Sequence, residues 1–175
     1  MIPLLLAFLW LADVRTCACD LAVPATLEVK ECSLCKVAEN QPESPAVFFV
    51  KDANPAKANR LLALPRKHYP AGHSLAGMPP EERTALWTAA IAKAKELWGD
   101  DWGVAYNGEE RRTQCHGHLH IGKVSPDAQI DKFIVVASPA DIPAPRNGEG
   151  MWVHSVSGKL YVHAGEQVTE FNLMR

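Results

Sequence analysis

The chain has 175 residues, of which 47% are hydrophobic, 18 are basic and 20 are acidic. This length and apolar content predict one compact domain with a substantial hydrophobic core. The formal net charge of −2 excludes the strongly basic character of many nucleic-acid-binding proteins, so we expect no nucleic-acid partner. Any anionic ligand must therefore be held by a local site.

Residues 3–12 are apolar throughout and predict the hydrophobic region of an export signal, although no basic side chain precedes them. The stretch is too short to span a bilayer as a mature helix. We therefore predict that residues 1–19 form a signal peptide or anchor, and that the protein is exported, either periplasmic or membrane-anchored. Cys17 and Cys19 follow directly and leave lipidation, a disulfide or idle thiols open.

A Cys-x-x-Cys motif follows a short helix that we predict at residues 24–31. Its two thiols, Cys32 and Cys35, have the spacing of zinc ligands. A redox pair or a plain disulfide is the alternative, and export favours it. The motif alone leaves these alternatives open.

The next segments predict a mainly antiparallel sheet with one long helix. Residues 46–50 and 60–65 read as strands joined by a short turn, and the first is apolar throughout, which is typical of a central strand. Residues 80–98 predict the helix, because Pro80 suits its first position and Gly99 its end. Further strands are predicted at residues 102–106, 134–136, 151–154, 159–163 and 167–173.

Three alternating histidines carry the strongest chemical signal of the chain: His116, His118 and His120. If they lie in a strand, their imidazoles share one face, while Leu119 and Ile121 turn towards the core. A neutral imidazole can attack phosphorus and form a phosphoramidate that water then cleaves. A metal-binding cluster or a fortuitous histidine-rich strand is the alternative.

The loop before these histidines offers groups that suit phosphate oxygens. Arg112 brings a cation, and Thr113 and Gln114 bring neutral donors. The alternative for Arg112 is a solvated hairpin loop. His154 and His163 flank a later hairpin signal, where they either face each other near the site or lie on the surface.

Taken together, the motifs in residues 32–123 resemble the histidine triad (HIT) superfamily of nucleotide hydrolases and transferases. The resemblance rests on the Cys-x-x-Cys motif, the Asp52-x-Asn54-Pro55 turn, the strand before His68, the long helix, Asn107-Gly108 and the His-x-His-x-His-Ile sequence. Asn107 followed by Arg112-Thr113-Gln114 is more similar to the CDP-diacylglycerol diphosphatases within it. These relatives are exported or membrane-anchored, as the N-terminal segment predicts for this chain.

We therefore predict an α+β fold with an HIT-like antiparallel sheet, one long packed helix and a C-terminal β extension. Residues 20–130 would form the catalytic domain, and residues 131–175 would extend the same domain. The triad should lie on the sheet face opposite the helix.

The resemblance implies hydrolysis of a nucleotide pyrophosphate bond, with CDP-diacylglycerol yielding CMP and phosphatidate. In that family pattern His118 is the nucleophile, which forms a nucleotidyl-imidazole intermediate. His120 and Arg112 would stabilise the phosphoryl oxygens, with Thr113, Gln114 and Asn107 as neutral donors. His116 completes the catalytic triad, and the chemical step needs no divalent metal.

The resemblance also brings Cys32, Cys35, His68 and His116 together as the ligands of a structural zinc ion. A Cys32–Cys35 disulfide is the rival. If zinc binds, His116 leaves the phosphate chemistry to the other two histidines.

Two further functions remain open at this stage. One is a generic hydrolase of dinucleoside polyphosphates or nucleoside phosphoramidates, and the other is a non-catalytic, exported metal-binding module. The expected partners are a nucleotide-containing small molecule or lipid and a membrane surface. A homodimer is common in the family, but no stripe in the sequence identifies an interface.

Overall fold

The computed structural model describes residue 14, residues 17–69 and residues 74–175. Most of the predicted leader, residues 1–13 and 15–16, lies outside the described residues. No helix in the described part of the chain combines the length and apolar character that a membrane span requires.

A single seven-stranded antiparallel sheet organises the described chain, which confirms the α+β class. Its strands are β1 (Val47–Lys51), β2 (Leu61–Pro65), β3 (Trp102–Tyr106), β4 (Leu119–Lys123), β5 (Phe133–Val136), β6 (Gly150–Val156) and β7 (Lys159–Glu166). Their order across the sheet is β1-β2-β4-β3-β6-β7-β5. All neighbouring pairs are antiparallel, so the C-terminal strands β6 and β7 continue the same sheet through β3.

Two α-helices pack on the sheet, α1 (Ser33–Glu39) and α2 (Pro80–Trp98). The prediction of the long helix is confirmed, with Pro80 in its first turn and Gly99 at a positive φ of 58° as its C-cap. Glycine adopts this left-handed backbone at little steric cost, which makes it a natural stop. The buried face of α2 includes Leu86, Trp87 and Ile91, which join the main core of the sheet.

The two faces of β4 have different surroundings. Leu119 and Ile121 are fully buried in the core beneath α2. Because side chains alternate along a strand, His120 points to the opposite face. The prediction that the triad lies on the face away from the long helix therefore holds for His120.

The prediction of a central position for the first strand is wrong, because β1 is an edge strand. Its apolar sequence has another cause. Val47 and Phe49 pack against the main core, whereas Phe48 packs against Leu34 and Ala38 of α1. Both faces of β1 are thus covered, although only one of its edges is paired.

The chain end also differs from the prediction. Residues 167–173 do not form a strand, because Thr169–Asn172 is a 3-10 helix that leads into Leu173. Leu173 is buried against Gly103 and Gly122. A side chain on Gly103 would collide with it, because a Cβ there would lie 2.5 Å from the Leu173 Cδ2 atom. These two glycines let the C-terminal segment, residues 167–175, cross the face of the sheet. The helix predicted at residues 24–31 is likewise two 3-10 helices, Pro24–Glu28 and Lys30–Cys32.

Candidate functional site

A cavity of about 490 Å³ lies on the sheet face away from α2, and His118 and His120 line it. Five basic side chains share the lining with two carboxylates, Asp52 and Glu170. The basic ones are Lys30, Lys51, Lys57, Arg111 and Arg112. This local excess of positive charge suits an anionic ligand, even though the whole chain is slightly acidic.

His118 presents an unprotonated nitrogen. Its Nδ1 atom lies 2.8 Å from the backbone carbonyl oxygen of His116. A carbonyl can only accept a hydrogen bond, so Nδ1 carries the proton and Nε2 keeps its lone pair. Burial is the main cause that lowers the pKa of His118 to about 4. The ring is therefore neutral near pH 7 and can act as a nucleophile.

His120 lies beside His118, with ring centroids 4.9 Å apart. The Nδ2 atom of Asn107 is 3.4 Å from the His120 Nε2 atom. The orientation of the Asn107 amide is fixed, because its Oδ1 accepts from the backbone N–H of Glu170 at 3.1 Å. Burial, followed by the neighbouring His118 ring, lowers the pKa of His120 to about 3. His120 is thus a neutral ring whose Nδ1–H is directed at carboxylates.

Glu170 contacts several of the polar residues around His120. It was not identified from the sequence as a site residue. Its carboxylate accepts from Asn107 at 3.0 Å and from Arg60 at 2.7 Å, and it forms a short ion pair with Lys57. It also lies 3.6 Å from the His120 Nδ1 atom. Burial acts to raise the pKa of Glu170, but His120, Lys57 and Asn107 together lower it to about 2.

Asp52, His120 and Glu170 are close enough to hold a metal ion by distance alone. Lys57 and Arg60 already neutralise this acidic corner, however, with Arg60 almost fully buried against Glu170. A divalent cation would add to that positive charge. We therefore interpret the group as an ion-pair network that fixes His120.

The predicted substrate-binding loop lines the cavity, but its members differ in what they contact. Arg112 is buried, donates to the carbonyl oxygen of Cys115 at 3.3 Å and lies over the Tyr106 ring. The side chain of Thr113 is exposed at the cavity. The amide of Gln114 binds the start of α1, since its Oε1 accepts from Ser33 at 2.7 Å. Gln114 therefore holds α1 in place as well as lining the cavity.

His116 does not share the face of the other two histidines, contrary to the prediction, because β4 begins only at Leu119. The His116 ring instead lies against His68, with centroids 4.7 Å apart, and its Nε2 is 2.7 Å from the carbonyl oxygen of Pro65. What His116 supplies to the cavity is the backbone carbonyl that orients His118.

Cys35, His68 and His116 form a buried group whose donor atoms lie within 4.8 Å of one another. The Nε2 of His116 is oriented by the Pro65 carbonyl, which leaves Nδ1 as the ligand atom, a usual arrangement around metal-bound histidines. Burial raises the pKa of the Cys35 thiol to about 11. The three residues offer one sulfur and two imidazole ligands, a donor set that fits zinc.

The four-residue zinc set predicted from the sequence is nevertheless wrong in one member, and so is the rival Cys32–Cys35 disulfide. Cys32 is bonded to Cys19, and Cys17 is bonded to Cys115. Cys35 is the free cysteine among the described residues. The pairing could not be read from the sequence, because five cysteines allow many connectivities.

The sequence matches no family model, and it matches no curated protein. Among solved structures the fold is similar to a DUF4931 family protein from Bacillus cereus, with a TM-score of 0.47 and 11% identity over 70% of this chain and 82% of that one. The expected membership of the HIT superfamily, and of its CDP-diacylglycerol diphosphatases, is therefore corrected. No sequence match supports it, and the structural similarity is to a protein of another description.

Proposed function

We propose that the protein is a hydrolase of phosphoric anhydride bonds in nucleotide substrates, with His118 as the nucleophile. The observation that carries the proposal is the hydrogen bond from His118 Nδ1 to the His116 carbonyl, in a ring that lines a basic cavity. This bond fixes the tautomer in which Nε2 has a lone pair for attack.

In the first step, the Nε2 atom of His118 attacks phosphorus and the anhydride P–O bond breaks. The leaving phosphate departs as an anion, and the ring, now bonded to phosphorus, carries a positive charge. The carbonyl of His116 stabilises that charge through the retained Nδ1–H. In the second step, water attacks phosphorus, the N–P bond breaks, and a proton of the water passes to solvent or product.

The other cavity residues would act on the charge of the phosphoryl oxygens. Arg112 and the lysines supply positive charge, and the buried arginine is already oriented by the Cys115 carbonyl. The Nδ1 atom of His120 lies 3.6 Å from the carboxylate of Glu170 and 3.9 Å from that of Asp52. These groups are in place before substrate binds, so little reorganisation is needed in the transition state.

The proposed substrate class is a nucleoside diphosphate ester, and CDP-diacylglycerol, which would yield CMP and phosphatidate, is its lipid-linked candidate. A cavity of about 490 Å³ lies in the range of sites for ligands of this size. Dinucleoside polyphosphates and nucleoside phosphoramidates offer the same phosphorus chemistry and form the alternative.

A substrate panel tests this proposal. Purified protein would be assayed with CDP-diacylglycerol in detergent micelles, with diadenosine tetraphosphate and with adenosine phosphoramidate. We expect the lipid to react at least tenfold faster than the others, and the reverse order would favour the alternative. If no substrate reacts while the protein is folded, the hydrolase proposal fails. The Glu96→Gln variant, exposed on α2, serves as the control for mutational effects in the same assays.

We also propose that the protein works outside the cytoplasm, at a membrane surface if its substrate is a lipid. Two disulfides support export, because such bonds persist in oxidising compartments. Since Cys17 and Cys19 form these bonds, a signal peptide removed on export would have to end before Cys17, earlier than the predicted boundary at residue 19. Mass analysis of the protein from the separated cell fractions of its own host would test export. The homodimer stays a prediction that this measurement does not address. Mature protein with both disulfides agrees with the proposal, and a reduced cytoplasmic protein contradicts it.

A structural zinc ion held by Cys35, His68 and His116 is the corresponding proposal for a cofactor. Such an ion would join α1 to the segment before β4 and take no part in the hydrolysis. Metal analysis and thermal melting of wild type and Cys35→Ser would test it. We expect Cys35→Ser to bind about one zinc ion fewer per chain than wild type and to melt at a lower temperature. If metal binding is the only activity found, the third function, a non-catalytic metal-binding module, replaces the hydrolase.

A further inference from the structure

A second histidine cluster lies on the β6–β7 hairpin, and strand β3 separates β6 from β4 in the sheet. In the antiparallel register, Trp152 is opposite His163 and His154 is opposite Tyr161. His154 and His163 are therefore diagonal neighbours on one face. Both are buried, with 9% and 2% of their surface exposed, so the alternative in which they lie on the surface does not hold.

The distance between the two imidazoles is the feature that points to a ligand. Their Nε2 atoms are 3.2 Å apart. Two nitrogens that each bind one metal ion at about 2.05 Å would subtend an angle of about 100° at the ion at this separation, which is close to tetrahedral.

The surroundings of the pair fix one of the two rings. The Nδ1 atom of His163 is 3.1 Å from the backbone carbonyl of Asp131, so it donates there and its Nε2 presents a lone pair. The indole of Trp152 stacks on both rings, with centroids 4.3 Å from His163 and 4.8 Å from His154. The pair is thus held by an aromatic face and by a backbone carbonyl, which is a usual partner of metal-binding imidazoles.

A cavity of about 370 Å³ borders the pair on the His163 side, since His163 forms part of its wall and His154 does not. Asp131 and Glu166 bring negative charge to this wall, and Lys132 opposes it. Among the described residues, no thiol or carboxylate joins both imidazoles at comparable distance. The remaining coordination positions would therefore be taken by water.

We infer that His154 and His163 form a binding site for a divalent transition-metal ion of the copper, nickel and zinc class. Imidazole ligands and an incomplete protein shell suit these ions better than calcium or magnesium, which prefer oxygen. Without metal, His154 donates its Nε2–H to His163. Metal binding would move that proton to His154 Nδ1, so no proton is gained or lost.

Copper binding measured on two ring-preserving variants tests the inference. The work uses Cys35→Ser as the background, so that the Cys35 group does not compete. His154→Phe and His163→Phe each keep a flat ring against Trp152 and remove the nitrogen ligand. We expect one Cu²⁺ per chain with nitrogen ligation in the electron paramagnetic resonance spectrum, and at least a tenfold loss of affinity in each variant. A smaller loss in both variants overturns the site.

A measurement on the unsubstituted pair keeps the test decisive if either variant fails to fold. Sub-stoichiometric Cu²⁺ would be added to the Cys35→Ser protein, and the imidazole proton resonances would be followed by NMR. The resonances of His154 and His163 should broaden first. Earlier broadening at His118 or His120 would contradict the inference. Neither experiment depends on hydrolysis, so its outcome is separate from that of the proposed function.

Discussion

One hydrogen bond and burial determine the protonation state of the His118 ring. The bond to the His116 carbonyl fixes the proton on Nδ1, and burial lowers the pKa of the ring to about 4. If His118 is the nucleophile, its ring stays neutral and able to attack at any pH well above 4. An exposed histidine would lose half of its neutral form at pH 6.5.

The pH dependence of hydrolysis should report this pKa. We expect kcat/KM to fall on the acid side with an apparent pKa near 4, the value of the free enzyme's His118. Rates would be measured from pH 3.5 to 8, with circular dichroism at each pH to confirm that the protein is folded. An acid limb centred near 6.5 in folded protein would contradict the assigned environment.

Glu170 joins Arg60, Lys57 and Asn107 at the other end of the cavity. We expect Glu170→Gln to reduce the free energy of unfolding by about 3–5 kcal/mol, because it leaves the buried Arg60 without a compensating charge. It should also lower kcat/KM, because residue 170, which lies beside the His120 Nδ1 atom, loses its negative charge. Urea unfolding and steady-state rates would measure the two effects.

The matched control for this substitution is Glu96→Gln. Glu96 lies on α2 in an exposed pair with Lys93, so its loss should change stability by less than about 1 kcal/mol. Equal effects of the two substitutions on unfolding would show that the Glu170 network contributes nothing beyond an ordinary surface pair.

At the scale of elements, the N-terminal segment is fastened to the loop before β4 by the Cys17–Cys115 disulfide. The backbone N–H of Cys115 also donates to the Glu31 carbonyl at 2.7 Å. Since Cys115 directly precedes His116, this attachment supports the carbonyl that orients His118. The second disulfide, Cys19–Cys32, stays within the N-terminal segment.

The two disulfides should differ in their contributions to stability. Cys17–Cys115 spans 98 residues and Cys19–Cys32 spans 13, and the loop-entropy model makes the longer link more stabilising by about 2 kcal/mol. Urea unfolding of Cys17→Ser/Cys115→Ser and of Cys19→Ser/Cys32→Ser would compare them. Equal losses, or a larger loss from the shorter link, would contradict the expectation.

The sequence allowed some elements to be predicted well, for identifiable reasons. The bounds of α2 follow from Pro80 and Gly99, whose backbone preferences act locally. The edge position of β1 could not be read from its apolar residues, because α1 covers one of its faces and the sequence shows no sign of that packing. The 3-10 helix at Thr169–Asn172 was not predicted, because the position of this segment depends on Leu173 packing on two glycines that are distant in the sequence.

The candidate site was predictable only in part for the same reason. His118 and His120 stand in a recognisable spacing, and Arg112, Thr113 and Gln114 directly precede that motif. Glu170 lies about 50 positions further along and belongs to no motif, so only the folded chain brings it to Asn107. His116 was expected on the same face as the other two histidines because a strand was assumed to begin three residues too early.

At the scale of the whole molecule, several histidines are buried as neutral rings. Burial lowers the pKa of His118 and His154 to about 4 and that of His120 to about 3. In the unfolded chain these rings take up protons near pH 6.5, whereas in the folded chain they do so only near pH 4 or below. Between those values the unfolded state binds more protons, so stability must rise with pH.

We therefore expect the free energy of unfolding to be greatest above pH 6.5 and to fall as the pH decreases towards 4. The slope should be on the order of 1.4 kcal/mol per pH unit for each neutral ring that protonates on unfolding. Urea unfolding at pH 7.5, 6, 5 and 4 would measure it. Constant stability across this range, or greater stability at pH 4, would contradict the buried neutral rings.

The central claim is that His118 becomes covalently bonded to phosphorus, and trapping that intermediate tests it most directly. Protein and substrate would be mixed, quenched in alkali within the first turnover and digested for mass spectrometry, because phosphohistidine survives base better than acid. We predict a nucleoside monophosphate adduct on His118 that appears before product and then decays. A complete first turnover with no adduct, or an adduct on another residue, would contradict the account.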